Sequence, residues 1–318
     1  MIGQTEVRTG LDRRALLLGL VAPVLIDQTP PPFDPDFPIV ANLLTRMAAR
    51  VSVNGLSDLL FVIDTGAERT VIASEIAAQL ALPAGPLQLV HGVTAAVRTP
   101  SVLIDRMVVG GRTVNDLVAP TFPRAALGAD GLIGLDVLSG FELRIDLRRK
   151  TVGLRPAQDG VLMINPTDRL TGTRLGRAQR GRAGRFGQLL LTTDVEQVRM
   201  DAFIDSGAQY SIGNHALLRA LGPRPPSPPL TTDPRIYGVG GAPLDAVAHE
   251  VETIRIGGRR LGRARMLFAD LHIFEALGLQ DRPALLVGAD ILGRFGSIAL
   301  NFSRSEILLG SPRRGALG

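Results

Sequence analysis

One series of features occurs twice along the 318-residue chain, in the same order, so the fold has to place two copies of it in equivalent environments. In the first copy a β-rich stretch, Met47 to Asn54, precedes Leu59-Leu60-Phe61-Val62-Ile63, which runs into Asp64-Thr65-Gly66-Ala67. In the second, Gln188 to Thr193 precedes Met200-Asp201-Ala202-Phe203-Ile204, which runs into Asp205-Ser206-Gly207-Ala208. Each acidic turn therefore follows an apolar strand. A short helix is expected after each turn, over Ser74 to Leu82 and Asn214 to Leu221, with apolar residues at helical spacing and a Ser or Asn near the start. Gly-containing segments come next, His91-Gly92-Val93-Thr94 and Tyr237-Gly238-Val239-Gly240-Gly241. Each copy then has two β segments joined by Gly-Gly, at Gly110-Gly111 and Gly257-Gly258, where glycine supplies the positive φ of a tight hairpin.

Both copies close on a more specific match. Ile133-Gly134-Leu135-Asp136-Val137-Leu138, ending at Phe141, is echoed in register by Val287-Gly288-Ala289-Asp290-Ile291-Leu292, ending at Phe295. The unequal spacing between the acidic turn and this signature, 70 residues from Asp64 to Gly134 and 83 from Asp205 to Gly288, is what surface-loop insertions produce. The reading is an all-β, bilobal fold with short helices and pseudo-twofold symmetry. Residues 37–155 form the first lobe, 156–185 an Arg-rich linker and 186–318 the second lobe; residues 1–36 precede the folded part.

A lone Asp-Thr-Gly is weak evidence, because Asp is a natural turn residue. Two such turns, each preceded by a strand and followed by the same later signature, point to paired chemistry at Asp64 and Asp205. The aliphatic strand anchors each carboxylate at a fixed, partly desolvated position. Gly66 and Gly207 permit a close approach that a β-carbon forbids. The hydroxyls of Thr65 and Ser206 can bond to the backbone of the opposite loop and lock the two together. Asp136 and Asp290 resemble a second carboxylate pair, but Gly-x-Asp before an apolar helix reads as an N-cap.

These residues resemble retropepsin-like aspartic peptidases, in the form where one chain carries both halves, as in pepsin-like enzymes and some bacterial exported proteins. The resemblance rests on Asp64-Thr65-Gly66-Ala67, Asp205-Ser206-Gly207-Ala208 and the pairs Ile133-Gly134 and Val287-Gly288, and covers most of residues 45–155 and 188–310. It implies a pepsin/retropepsin-like fold and peptide-bond hydrolysis by a water activated between Asp64 and Asp205, whose carboxyl groups would lie within ~3 to 4 Å and share one proton. It implies a peptide or protein substrate, no metal or other cofactor, and a monomer, since one chain supplies both carboxylates. Glu68 is a candidate contact to substrate backbone and Gln209 a weaker one. The segments at Gly92 and at Tyr237, Gly238 and Gly240 are candidate flaps, with Tyr237 able to hydrogen-bond near the site. Ala67 and Ala208 stand where pepsin-like enzymes carry a hydroxyl, so activity is expected nearer mildly acidic or neutral pH.

Composition narrows the alternatives. With aromatic residues at 4%, no Trp and two Tyr, base stacking on nucleic acid has little to work with, and a glycosidase would want more aromatics for sugar binding. Seven Arg between Arg155 and Arg185 stand against Asp159 and Asp168, an excess equal to the whole formal charge of +5, so the basic character belongs to the linker. There are no cysteines, which excludes thiolate zinc sites and a thiol nucleophile. His91, His215, His249 and His272 are dispersed, and Asp270, His272 and Glu275 read as structural. Arg13-Arg14 before the apolar run Ala15 to Ile26 resembles a twin-arginine export signal, which implies a periplasmic or exported protein or one tethered to the membrane by this segment. A peptide-binding module that keeps the fold without catalysis is the rival reading.

Overall fold

Apolar residues at the ends of both motif strands are buried on both faces, as Phe61, Val62 and Ile63 and Ala202, Phe203 and Ile204 are, so each strand must run through the middle of a sheet. The computed structural model describes residues 37–38, 40–41, 47–149, 151–156, 179–223 and 234–312, all within one compact unit, Phe33–Gly318. The export-type segment and most of the Arg-rich linker lie outside the described residues. Among the described residues no helix is long and apolar enough to cross a membrane.

The first lobe is built on a seven-stranded sheet in the order Val40–Ala41, Met47–Val53, Leu56–Ile63, Gly131–Ile133, Val71–Ala73, Arg112–Phe122 and Ser101–Val109. The last strand also pairs with Met47–Val53, so the sheet curls back on itself and loses its open edge. The second lobe repeats this order with Leu189–Val195, Val198–Ile204, Ala284–Val287, Ile212–Gly213, Ala264–Phe268 and Val247–Val251. Its counterpart of the long strand Ser101–Val109 is interrupted after Val251, and Ile254–Ile256 makes the closing pairing with Leu189–Val195.

The repeats supply the expected local geometry. Gly110 and Gly111 (φ 54° and 75°) and Gly257 and Gly258 (φ 57° and 70°) all take the left-handed conformation that a two-residue hairpin turn requires. Asn214 caps the helix His215–Leu221, its side chain accepting the Leu217 N–H at 2.9 Å. The first-lobe helix, Ser74–Gln79, is shorter than its pattern suggests, because Ala81, just past the C-cap Leu80, takes the left-handed conformation (φ 48°) that ends a helix.

A third sheet joins the lobes. Its six strands run Phe37–Pro38, Thr151–Pro156, Phe141–Asp146, Ser297–Asn301, Glu306–Leu309 and Gln179–Arg180, three from each half in mirrored order. At its centre Leu143 faces Leu300 and Ile145 faces Ile298, so the twofold relation passes between the strands that follow Phe141 and Phe295. Gln179–Arg180 and Arg182–Ala183, inside the stretch read as linker, pair with Glu306–Leu309 and Leu189–Val195.

This shared sheet makes the lobes one cooperative structure. Leu143 is fully buried at the junction, so Leu143→Ala should cost about 2–5 kcal/mol and lower the urea midpoint of both lobes in a single transition. Two separated transitions in the wild type would contradict this coupling.

Candidate active site

Each motif loop leaves the end of its strand where the closing signature runs parallel beside it. Ile63 pairs with Ile133 and Ile204 with Val287, and the Asp64 and Asp205 N–H groups donate to the Ile133 and Val287 carbonyls, both at 3.0 Å. The loop then passes over Gly134 or Gly288, where a β-carbon would collide with the backbone of Arg69 or Tyr210. That close approach lets the Leu135 and Ala289 N–H groups donate to the Ala67 and Ala208 carbonyls, at 2.9 and 2.8 Å.

Asp136 and Asp290 brace this crossing rather than cap a helix. The N-cap residues are Gly134 and Gly288, and each Asp lies inside the first turn. Asp136 Oδ1 accepts the Thr70 N–H at 2.8 Å and the Thr70 hydroxyl at 2.7 Å, while Asp290 Oδ1 accepts the Ser211 hydroxyl at 2.6 Å. The same two hydroxyls take the Gly134 and Gly288 N–H groups at 3.1 and 2.9 Å. Burial raises the Asp136 pKa, and the bonds from Thr70 oppose that rise. The structural reading of these carboxylates holds, but the cap role is corrected: the glycines are needed at the cap for clearance, so the Asp side chains bond sideways to the motif loop.

Across the twofold axis the loops lock reciprocally. The Thr65 hydroxyl donates to the Ile204 carbonyl at 2.9 Å and accepts the Ser206 N–H at 3.0 Å. The Ser206 hydroxyl donates to the Ile63 carbonyl at 2.6 Å and accepts the Thr65 N–H at 3.2 Å. Both side chains are fully buried. The lock presses each glycine onto the opposite acid: a β-carbon on Gly66 would strike the Asp205 carboxyl, and one on Gly207 the Asp64 carboxyl.

Within each loop the carboxylate is also held from below. Asp64 Oδ1 accepts the Gly66 and Ala67 N–H groups at 3.0 Å each, and Asp205 Oδ1 accepts those of Gly207 and Ala208 at 2.9 and 3.0 Å. The two carboxyl groups are in hydrogen-bonding contact. Burial, followed by the neighbouring Asp64 charge, pushes the Asp205 pKa well above the usual carboxylate range; the Ala208 and Gly207 N–H bonds only partly offset this. Asp205 is 5% exposed and Asp64 half-buried.

A cleft opens above the pair. Val71, Phe122, Leu132, Phe203 and Ile273 give it an apolar wall, and Glu68 and Arg69 line it as well. Hairpins from both lobes meet over it. The first joins Gln88–His91 to Ala96–Thr99 and is closed by the Gly92 N–H on the Ala95 carbonyl at 2.9 Å. The second joins Arg235–Ile236 to Leu244–Asp245. Their tips touch, Gly238 and Gly241 against Thr94, Gly92 against the Val239 carbonyl, and Gly240 against Val97.

Of the residues singled out in the sequence, Asp64, Gly66, Ala67, Glu68, Gly92 and Asp205 line the cleft. Thr65 and Ser206 lie beneath it in the lock, Gly207 lies against Asp64, and Gly238 and Gly240 form the contact between hairpins. Tyr237 is 74% exposed and does not reach the cleft: the glycines behind it pack on Thr94 and turn its ring to solvent, leaving Val239 as the residue that faces inward. Gln209 is also absent from the lining, its amide 3.4 Å from the Tyr210 hydroxyl.

Gln188 and Phe186 are lining residues that the sequence reading did not assign to the site. Gln188, buried, donates to the Gly66 carbonyl at 3.1 Å, tying the second lobe to the first motif loop. Phe186 stacks on His91, with ring centroids 5.1 Å apart. His91 also bonds to His272. The one available signal was positional: Gln188 immediately precedes the strand that leads toward the second motif.

A sequence model of the aspartyl protease family matches residues 49–137 and again 191–291, one match in each lobe and together more than half of the chain. The chain belongs to the aspartyl protease family. Each match begins in the strand ahead of the motif strand and ends in the closing signature. Among solved structures, a retropepsin-like aspartic protease from Rickettsia conorii is similar at 19% identity over 36% of this chain and 87% of its own, with a TM-score of 0.30. No curated protein matches the chain. Among the described residues no group of three or more His, Asp or Glu is placed to hold a metal ion.

The lock predicts a graded mutational response. Thr65→Val keeps the volume but strands the Ser206 N–H and the Ile204 carbonyl, each costing about 1–3 kcal/mol. Thr65→Ser keeps the hydroxyl. Urea unfolding should therefore show a large loss for the first and a small one for the second; equal losses would assign Thr65 to packing alone.

Proposed function

We propose that the chain is an aspartic endopeptidase that hydrolyses peptide bonds with a water activated between Asp64 and Asp205. The observation that carries this reading is the contact between two carboxyl groups at equivalent points of two lobes, one buried and pushed strongly toward its protonated form by burial and by the other. Such a pair holds one proton and titrates in two steps that belong to the pair. The ionised member takes a proton from the water, and the protonated member donates to the carbonyl oxygen of the scissile bond. The roles then reverse as the amine leaves. No covalent intermediate is needed, because water is the nucleophile.

Positioning falls to the backbone. With Oδ1 of each Asp fixed by two N–H groups, the carboxyl planes cannot rotate freely, so the water site between them is set before substrate arrives. An extended peptide between the motif loops and the hairpins would place apolar side chains against Val71, Leu132, Phe122 and Phe203. One chain supplies both acids, so a single copy is a complete site.

Asp64→Asn and Asp205→Asn should each reduce cleavage of a fluorogenic peptide library at least ~100-fold. Retained cleavage in either variant would contradict the mechanism, and an intact library with wild type would favour a peptide-binding role instead.

The pH response has a definite sign. Activity requires one proton on the pair, so the rate is bell-shaped, and the raised Asp205 pKa moves its alkaline limb upward. With Ala67 and Ala208 offering no hydroxyl, the maximum is expected at mildly acidic to neutral pH; a maximum below about pH 3 would count against the reading.

Stability follows from the same shift. Because folding raises the Asp205 pKa, the folded state is favoured fully below the unfolded carboxylate pKa and loses that support as pH rises toward the folded one. Asp205→Asn removes the penalty, so at neutral pH this inactive variant should melt at a higher temperature than wild type. A lower melting temperature in a correctly folded variant would contradict the raised pKa.

A further inference from the structure

His91 and His272 are 181 positions apart in sequence, one on the first-lobe hairpin and the other opening the second-lobe helix His272–Ala276, yet His91 Nδ1 and His272 Nε2 are 3.0 Å apart. The rings are nearly coplanar, at 8°, as an in-plane hydrogen bond between imidazoles requires. The opposite lobe meets the same hairpin at two further points. The Ile273 N–H points to the Val93 carbonyl at 3.4 Å, and Val93 packs on the second-lobe cluster that contains Phe274 and Leu271. The tip of a first-lobe hairpin is thus docked on the other lobe, above the paired carboxylates.

We propose that the His91–His272 bond is a proton-operated clasp that holds this hairpin closed over the cleft at neutral pH and releases it in acid. The chemistry is set by the inventory of an imidazole. A neutral ring offers one N–H and one lone pair, whereas a protonated ring offers two N–H groups and no acceptor. The bond therefore survives while at least one ring is neutral. When both are protonated no lone pair remains, and two like charges face each other at hydrogen-bonding distance. The clasp holds while one ring is neutral and is lost on acidification, once both rings carry a proton.

Charged groups surround the pair. Glu275 lies 3.7 Å from His272 Nδ1 on the same helix. On the other side His91 stacks on Phe186, whose far environment includes the Arg185 guanidinium at 5.6 Å from the Phe186 ring. Arg98, on the paired strand of the hairpin, sits opposite Leu89, and Glu68 and Arg69 line the same cleft. Asp270, just before the helix, is engaged by His215 through its backbone and ring. Glu275 can stabilise one proton on the pair, but it cannot supply the acceptor that the second proton removes.

The proposal does not depend on peptidase activity, and its readout is the hairpin itself. Hydrogen–deuterium exchange of residues 88–99, corrected for the intrinsic pH dependence of exchange, should show protection in wild type falling about fivefold between pH 7.5 and pH 5, the effect of losing one hydrogen bond. In His272→Gln the amide oxygen can accept from His91 in either protonation state, so the step should disappear while protection at neutral pH remains. His91→Asn places an amide near the Nδ1 position and should likewise abolish the step. The imidazole nitrogen NMR shifts of His91 and His272 in wild type should change over the same pH interval as the exchange. A pH-independent wild-type hairpin, a wild-type step retained in either variant, or imidazole titrations that do not coincide with the exchange step would each overturn the clasp.

Discussion

The structure depends on the reciprocal bonds between Thr65 and Ser206. Neither hydroxyl stabilises its own loop; each saturates a backbone N–H and a carbonyl of the other, in a place where water cannot reach. Buried peptide groups left unpaired are costly, so these four bonds force the loops to the same spot on the twofold axis. Once they are there, the absence of β-carbons on Gly66 and Gly207 decides how near the acids can come. The rise in the Asp205 pKa follows first from burial and then from that approach. The paired site is thus a consequence of backbone satisfaction at a lobe junction, with the six-stranded sheet holding the lobes in register beneath it.

The two halves are equivalent below the site and unequal above it. Below, Thr70 with Asp136 and Ser211 with Asp290 perform the same bracing, hydroxyl for hydroxyl. Above, the first hairpin docks across the axis onto the second lobe through Val93 and His91, and the second hairpin lays its glycines on Thr94. Phe186 and Gln188 also enter from the second lobe alone among the described residues. A cleft with two different walls has a direction, which a strictly symmetric site lacks.

What was legible in the sequence was whatever the repeat carried. Asp64 and Asp205, the glycines after them, the Gly-Gly hairpins and the cap at Asn214 are local requirements of turns and strand ends, so each writes itself into a few adjacent residues. The roles of Asp136 and Asp290 were half legible: their conformity to a cap pattern pointed to structure, but only the approach of Thr70 and Ser211 explains what they bond. Contacts between lobes left no such trace. His91 and His272 read as dispersed histidines because nothing in either neighbourhood names the other, and Gln188 read as the start of a strand. The direction of Tyr237 was set by how two glycine-rich tips pack, which depends on both hairpins at once.

The central claim is that Asp64 and Asp205 share one proton at neutral pH. Infrared difference spectroscopy between wild type and Asp205→Asn, recorded near pH 7, reads this directly through the carbonyl stretch of a protonated carboxyl group. The account predicts such a band in wild type, lost in the variant and insensitive to pH until well above the ordinary carboxylate range. A spectrum with only ionised carboxylates at this pair would contradict it.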